Sequence, residues 1–252
     1  PIGPGDRVYR KWMNKSFIAF VIGRQSIERG MNILGAHIDS PRIDVKQSPL
    51  YEDGGMAYFK THYYGGIRKY QWLAMPLALH GVVVKQDGEV LCVVIGERDE
   101  DPVMYITDLL PHLAGAYNEK PLGKAVTGEQ LNILVGSRPL ADEDKDAVKL
   151  GVLQYLYDTY GITEEDFLSA ELCVVPAAKA RDIGFDRGLI GAYGHDDRVC
   201  SYPALRALLD CEDSAHTIMC VLADKEEIGS IGVTGMQSEI FTDLMEEIAL
   251  NL

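Results

Sequence analysis

The apolar residues of this chain fall in runs of strand length closed by turn residues, and none is long enough to cross a membrane. Residues 16–23 (SFIAFVIG) read as a strand, and residues 32–37 (NILGAH) as a second, buried one that ends where Pro41 stops pairing. Two more runs, 81–84 and 90–95, flank Asp87-Gly88, a hairpin signal because the turn needs positive φ. Residues 172–175 and 217–223 read as further strands, the latter buried. Helical spacing governs elsewhere. In residues 146–160 the apolar residues Val148, Leu150, Val152, Leu153, Leu156 and Tyr157 follow helical spacing, with Gly161 to close the helix. Thr163 with Asp166 resembles a capping box for a short following helix. Residues 198–209, with Pro203 near the first turn, and residues 237–252 complete the helices.

This order predicts an α/β domain, residues 1–46 and 182–252, interrupted by a mostly β insertion at residues 47–181. With 252 residues the chain is long enough to bury a real core. Acidic residues number 38 against 24 basic ones, a net charge of −14, which argues against a nucleic-acid partner because phosphate neutralisation needs Lys and Arg. The five Cys are odd in number and include no Cys-x-x-Cys pair, so neither a disulfide framework nor a thiolate zinc site is expected, and a reducing cytoplasm fits. The opening residues lack the charged and apolar regions of a signal peptide and the initiator Met, so residue 1 reads as a non-native start.

Three clusters could carry chemistry, and each follows a strand or strand-like turn, where open α/β sheets bind ligands. In His37-Ile38-Asp39 the side chains two apart face the same way, and a carboxylate can fix the tautomer of a metal-binding imidazole. A hydrogen-bonded loop histidine is the plainer reading. His195-Asp196-Asp197-Arg198 offers either simple capping of a helix start or one carboxylate bridging two metals with its neighbour in support. Asp224-Lys225-Glu226-Glu227-Ile228-Gly229-Ser230 is either a solvated acidic loop or a metallohydrolase turn. In the second case adjacent carboxylates point apart, one to metal and one to water. Nitrogen and oxygen donors without thiolate suit zinc, manganese or cobalt.

The chain resembles the M18 aspartyl aminopeptidases. The resemblance rests on residues 35–42 (GAHIDSPR), 61–66 (THYYGG), 110–114 (LPHLA), 161–172 (GITEEDFLSAEL), 224–230 (DKEEIGS) and the Asp196-Asp197 pair, in the family's order over nearly the whole chain. It implies a phosphorylase/hydrolase-like zinc-peptidase α/β domain with a mostly β inserted dimerisation domain. It implies two Zn2+ ions per site, with Mn2+ or Co2+ as alternatives. His37 and Glu227 would be metal ligands, Asp196 the bridge between ions, Asp39 the residue that orients His37, and Glu226 the general base. The implied activity is hydrolysis of an N-terminal Asp or Glu from peptides by a cytoplasmic homo-oligomer, a dodecamer, with no nucleic-acid or membrane partner. The family pattern also needs a further carboxylate and a late His. His62, His80, His112, His195 and His216 do not fall where that His belongs, so truncation at the C-terminus and weak metal binding by the chain as given are expected. The M42 and M20 metallopeptidases share the His-x-Asp and Glu-Glu logic and form one alternative. A non-catalytic assembly subunit forms another.

Overall fold

The computed structural model describes residues 1–252. Along the chain run β1 (Arg7–Trp12), β2 (Ser16–Val21), β3 (Asn32–His37), β4 (Arg42–Asp53), β5 (Met56–Tyr64), β6 (Leu77–Val84) and β7 (Val90–Ile95). Then follow α1 (Gly115–Asn118), α2 (Leu122–Ala125), β8 (Ile133–Gly136), α3 (Ala147–Tyr160), β9 (Ala170–Pro176), β10 (Arg181–Ile183), β11 (Leu189–Gly191), α4 (His195–Asp210), β12 (Ile218–Ala223) and α5 (Ile240–Asn251). The chain divides into two compact units, residues 1–41 with 194–252, and residues 42–193. The expected bounds at 46/47 and 181/182 therefore move to 41/42 and 193/194. Arg42 already belongs to β4, which pairs with β5 and β9, and the β10–β11 ribbon pairs only with itself.

In the first unit the sheet order is β1-β2-β12-β3, with β3 parallel to β12 and the other pairs antiparallel. Residues 18–22 are buried on both faces, which is why they read as a continuous apolar run rather than an alternating one. Ile18, Phe20 and Ile22 pack with Met219, Val221 and, from α5, Phe241, Leu244 and Ile248. Ala19 and Val21 share a second cluster with Cys220, Leu222 and Leu208 of α4. Strand β3 is not the buried strand expected. It ends the sheet order, hydrogen-bonds only to β12, and leaves Ile33 64 % exposed. Helix α5 starts at Ile240, later than expected, because Gln237 is engaged by Ser230 and Gly229. Pro203 lies inside α4 beyond its first turn, removing one backbone donor without ending the helix.

The second unit is antiparallel, as the hairpin signal predicts: six strands in the order β7-β6-β9-β4-β5-β8. Its core holds Ile43, Leu77, Val83, Ile133 and Val174, joined by Val148 and Leu156 of α3. Gly88 takes φ 86° in the β6–β7 turn and Gly161 ends α3 in the left-handed region. Asp166 accepts both the N–H and the hydroxyl of Thr163 at 2.8 Å, at the start of a short 3-10 turn.

Candidate metal centre

His37 is the last residue of β3 and pairs with Ala223, the last residue of β12. The N–H of Ile38 donates to the Ala223 carbonyl at 2.8 Å. Two of the sequence clusters, 37–39 and 224–230, therefore leave the sheet side by side from the carboxyl ends of adjacent parallel strands.

The His37 imidazole is held from both nitrogens. Nδ1 lies 2.9 Å from the Asp39 carbonyl and 3.4 Å from Asp39 Oδ1. Nε2 lies 3.1 Å from Asp196 Oδ1 and 3.8 Å from Glu226 Oε2. Asp39 is 5 % exposed, and its two oxygens accept the backbone N–H groups of Glu226 and Glu227, each at 3.2 Å. One carboxylate thus touches the imidazole and the turn carrying both glutamates.

That turn is a short 3-10 segment, Glu226–Ile228, entered through Lys225 and left through Gly229, both in the left-handed region. Its tight winding replaces the extended turn expected for these residues. One ligand atom each of His37, Glu226 and Glu227 lie within 4.8 Å of one another.

Asp196 and Asp197 depart from helical φ/ψ, and their mutual peptide is cis, so both carboxylates precede the regular part of α4. Asp196 reaches His37 Nε2, while Asp197 accepts the His37 N–H at 3.4 Å. Ser201, one turn along α4, donates its hydroxyl to the His37 carbonyl at 2.8 Å, and Ser40 donates to the Asp196 carbonyl at 3.2 Å. Neither serine was visible as a site residue from sequence, since nothing local links them to residue 37 or 196.

Charge dominates the cluster. Burial works against protonation of His37, yet the Asp39 carbonyl and the carboxylates of Asp39, Glu226 and Asp196 outweigh it and hold the imidazole above its ordinary pKa. Burial, followed by the nearby carboxylates of Glu226, Asp39 and Asp196, pushes Glu227 up, with His37 opposing. The Cys200 thiol, then the His37 N–H, hold Asp197 low against its burial. Clustered carboxylates in this state repel, and a cation relieves them. One imidazole nitrogen with carboxylate oxygens is a donor set that zinc accepts at catalytic sites. The residues present fit the ion.

Three other histidines have partners away from this cluster. His80 pairs with Glu97 at 2.8 Å, His62 stacks on Tyr63, and His216 contacts the Gly30 carbonyl at 3.3 Å.

The profile of the family described as "Aminopeptidase I zinc metalloprotease (M18)" matches residues 1–252. The chain belongs to the M18 family. It is 52% identical over 245 residues to a probable M18 family aminopeptidase 1 of Clostridium acetobutylicum, covering 97% of this chain and 53% of that one. Among solved structures it is similar to aminopeptidase I of Clostridium acetobutylicum, with a TM-score of 0.92 at 49% identity over 98% of this chain and 54% of that one. It is likewise similar to the M18 aminopeptidase of Thermotoga maritima, with a TM-score of 0.91 at 48% identity over 96% and 53%. The yeast mApe1 dodecamer shares the fold, with a TM-score of 0.71 at 22% identity over 98% and 55%. This M18 chain spans about half the length of the relatives it matches. No helix is long and apolar enough to cross a membrane.

Proposed function

We propose that this chain carries the metal-binding core of a metalloaminopeptidase that removes an acidic N-terminal residue, Asp or Glu, from peptides. The observation behind this reading is the convergence of His37, Glu226 and Glu227, braced by Asp39 and met by Asp196. His37 and Glu227 would hold zinc, and Asp196 would be shared between two ions. Bound zinc supplies Lewis acidity to a carbonyl and lowers the pKa of water to about 7. Glu226 takes the proton of the attacking water and delivers it to the leaving amine, a role worth on the order of 10²- to 10⁴-fold in rate. Asp39 keeps the imidazole turned and the glutamate backbone fixed. Manganese or cobalt would suit the same oxygen and nitrogen donors.

The acidic preference rests on the resemblance to aspartyl aminopeptidases. Homo-oligomeric assembly draws on the dodecameric form of the yeast mApe1 structure, and the residue 42–193 unit is the part proposed to build it.

The decisive experiment uses the protein expressed from its whole coding sequence. Glu226→Gln should keep the zinc content of the wild type, read by elemental analysis, and lose about 10²-fold or more in kcat. Wild-type turnover in that variant overturns the assignment. In a panel of aminoacyl substrates, Asp and Glu derivatives should be cleaved fastest, and faster cleavage of neutral ones overturns the acidic preference.

A further inference from the structure

The first unit buries few polar side chains, and three of them close a ring at the root of the Glu226–Glu227 turn. Ser16, Asp224 and Thr234 are 3 %, 5 % and 4 % exposed. The Thr234 hydroxyl donates to Asp224 Oδ2 at 2.5 Å, the Asp224 N–H donates to Ser16 Oγ at 3.2 Å, and the Ser16 hydroxyl donates to the Thr234 carbonyl at 2.6 Å. Every member both gives and receives within the ring, or accepts what the next gives. The ring joins the start of β2, the residue that follows β12, and the loop that returns toward α5.

That loop is drawn tight. Asp224 bridges Gly235 in parallel, and a Cβ on Gly235 would overlap the Ser230 carbonyl. The Ser230 N–H donates to the Lys225 carbonyl at 2.7 Å, and the Gln237 amide donates to Gly229 at 2.7 Å. The indole N–H of Trp12 holds the Val233 carbonyl at 2.8 Å. The turn bearing the two glutamates is therefore anchored at its exit by Ser230 and Gln237, and at its entry by Asp224. Lys225 and Ser230, on either side of it, take φ of 69° and 63°, a left-handed conformation that a free non-glycine residue avoids, so the surroundings must hold the turn in shape. A closed polar ring fixes direction as well as depth, which an apolar contact of the same size does not.

We propose that Ser16, Asp224 and Thr234 are positioning residues that aim Glu226 and Glu227 for metal binding. None of the three touches His37 in the way Asp39 does, and they act through the backbone of the turn. This inference rests on the metal-site reading given above. It predicts that breaking the ring weakens zinc binding by more than the accompanying loss of stability explains.

The test measures zinc affinity by competition with a chromophoric chelator, well below the melting temperature, in the protein expressed from its whole coding sequence. Thr234→Val, which keeps shape and deletes the donor, should bind zinc about 10-fold or more weakly, as loss of a supporting partner usually does. Thr234→Ser should restore wild-type affinity. Thr217→Val is the control. Thr217 is equally buried, accepts the Gly23 N–H at 3.0 Å and precedes β12 at its opposite end. It should lower the melting temperature and leave zinc affinity unchanged. Ser16→Ala carries the same expectation as Thr234→Val, so the test stands if the valine variant does not fold. Wild-type zinc affinity in the ring variants, alongside a Glu227→Gln variant that binds zinc poorly, overturns the positioning role alone. A Glu227→Gln variant that binds zinc as the wild type does overturns the metal site itself, and the positioning role with it.

Discussion

Asp39 accepts one backbone N–H on each carboxylate oxygen while one of those oxygens stays 3.4 Å from the His37 ring. An amide cannot do this, since its NH2 group would face an N–H donor. Asp39→Asn is therefore expected to bind zinc about 10- to 100-fold more weakly and to melt at a lower temperature. Chelator competition and a thermal melt check it, and an unchanged affinity would contradict the double role. The His-x-Asp spacing was legible as a candidate from sequence. The contacts of Asp39 with residues 226 and 227 were not, because the N–H groups it binds come from 187 and 188 positions away. The 3-10 winding of the Glu226–Ile228 turn was likewise hidden, because its anchors come from distant parts of the chain.

Among the elements, β2 and β12 carry the first unit's core, and Ile18 is fully buried within it. Ile18→Ala should cost about 2 to 5 kcal/mol, read by denaturant unfolding. Helix α4 lacks a basic residue in its last turn and borrows one from β1. The Arg7 guanidinium donates to the carbonyls of Leu209 and Cys211 at 2.9 and 2.6 Å. Arg7→Ala should lower stability by about 1 kcal/mol and speed hydrogen exchange in that turn. In the second unit, Asp101 accepts the N–H groups of Arg98 and Gly96 after β7, and these bonds, the Arg98 one foremost, hold its carboxyl below the usual range against a smaller opposing effect of burial. A depressed folded value means the stabilisation is present above roughly pH 4 and is lost as pH falls through the folded pKa. Asp101→Asn should therefore shift the melting temperature above that pH, with the gap to wild type closing in more acid solution. The hairpin, α3 and the cap of Gly161 were legible from local patterns, because turn chemistry and helical spacing act over a few residues. The exposure of β3 was not, because an apolar strand reads alike at an edge and at a centre.

For the molecule as a whole, two units with separate cores and a net charge of −14 bear on the proposed homo-oligomer. Light scattering on the protein expressed from its whole coding sequence should report a mass of many subunits. Raising the salt should not dissociate them, since like charge opposes assembly and screening relieves it. A mass near one subunit contradicts the oligomeric reading.

Sequence alone determined β2, β3, β6, β7, β9 and β12, the longer helices α3, α4 and α5, the antiparallel character of the middle region and the residue types able to hold a cation, since each depends on neighbours a few positions away. The M18 motifs, spread along the chain in order, were also legible there. Tertiary structure decided that β3 lies parallel to β12, and that pairing sets His37 beside the 224–230 turn. It also decided which buried hydroxyls brace that turn. Such contacts join residues far apart in the chain, and no local propensity encodes which distant strand or loop will complete a hydrogen bond.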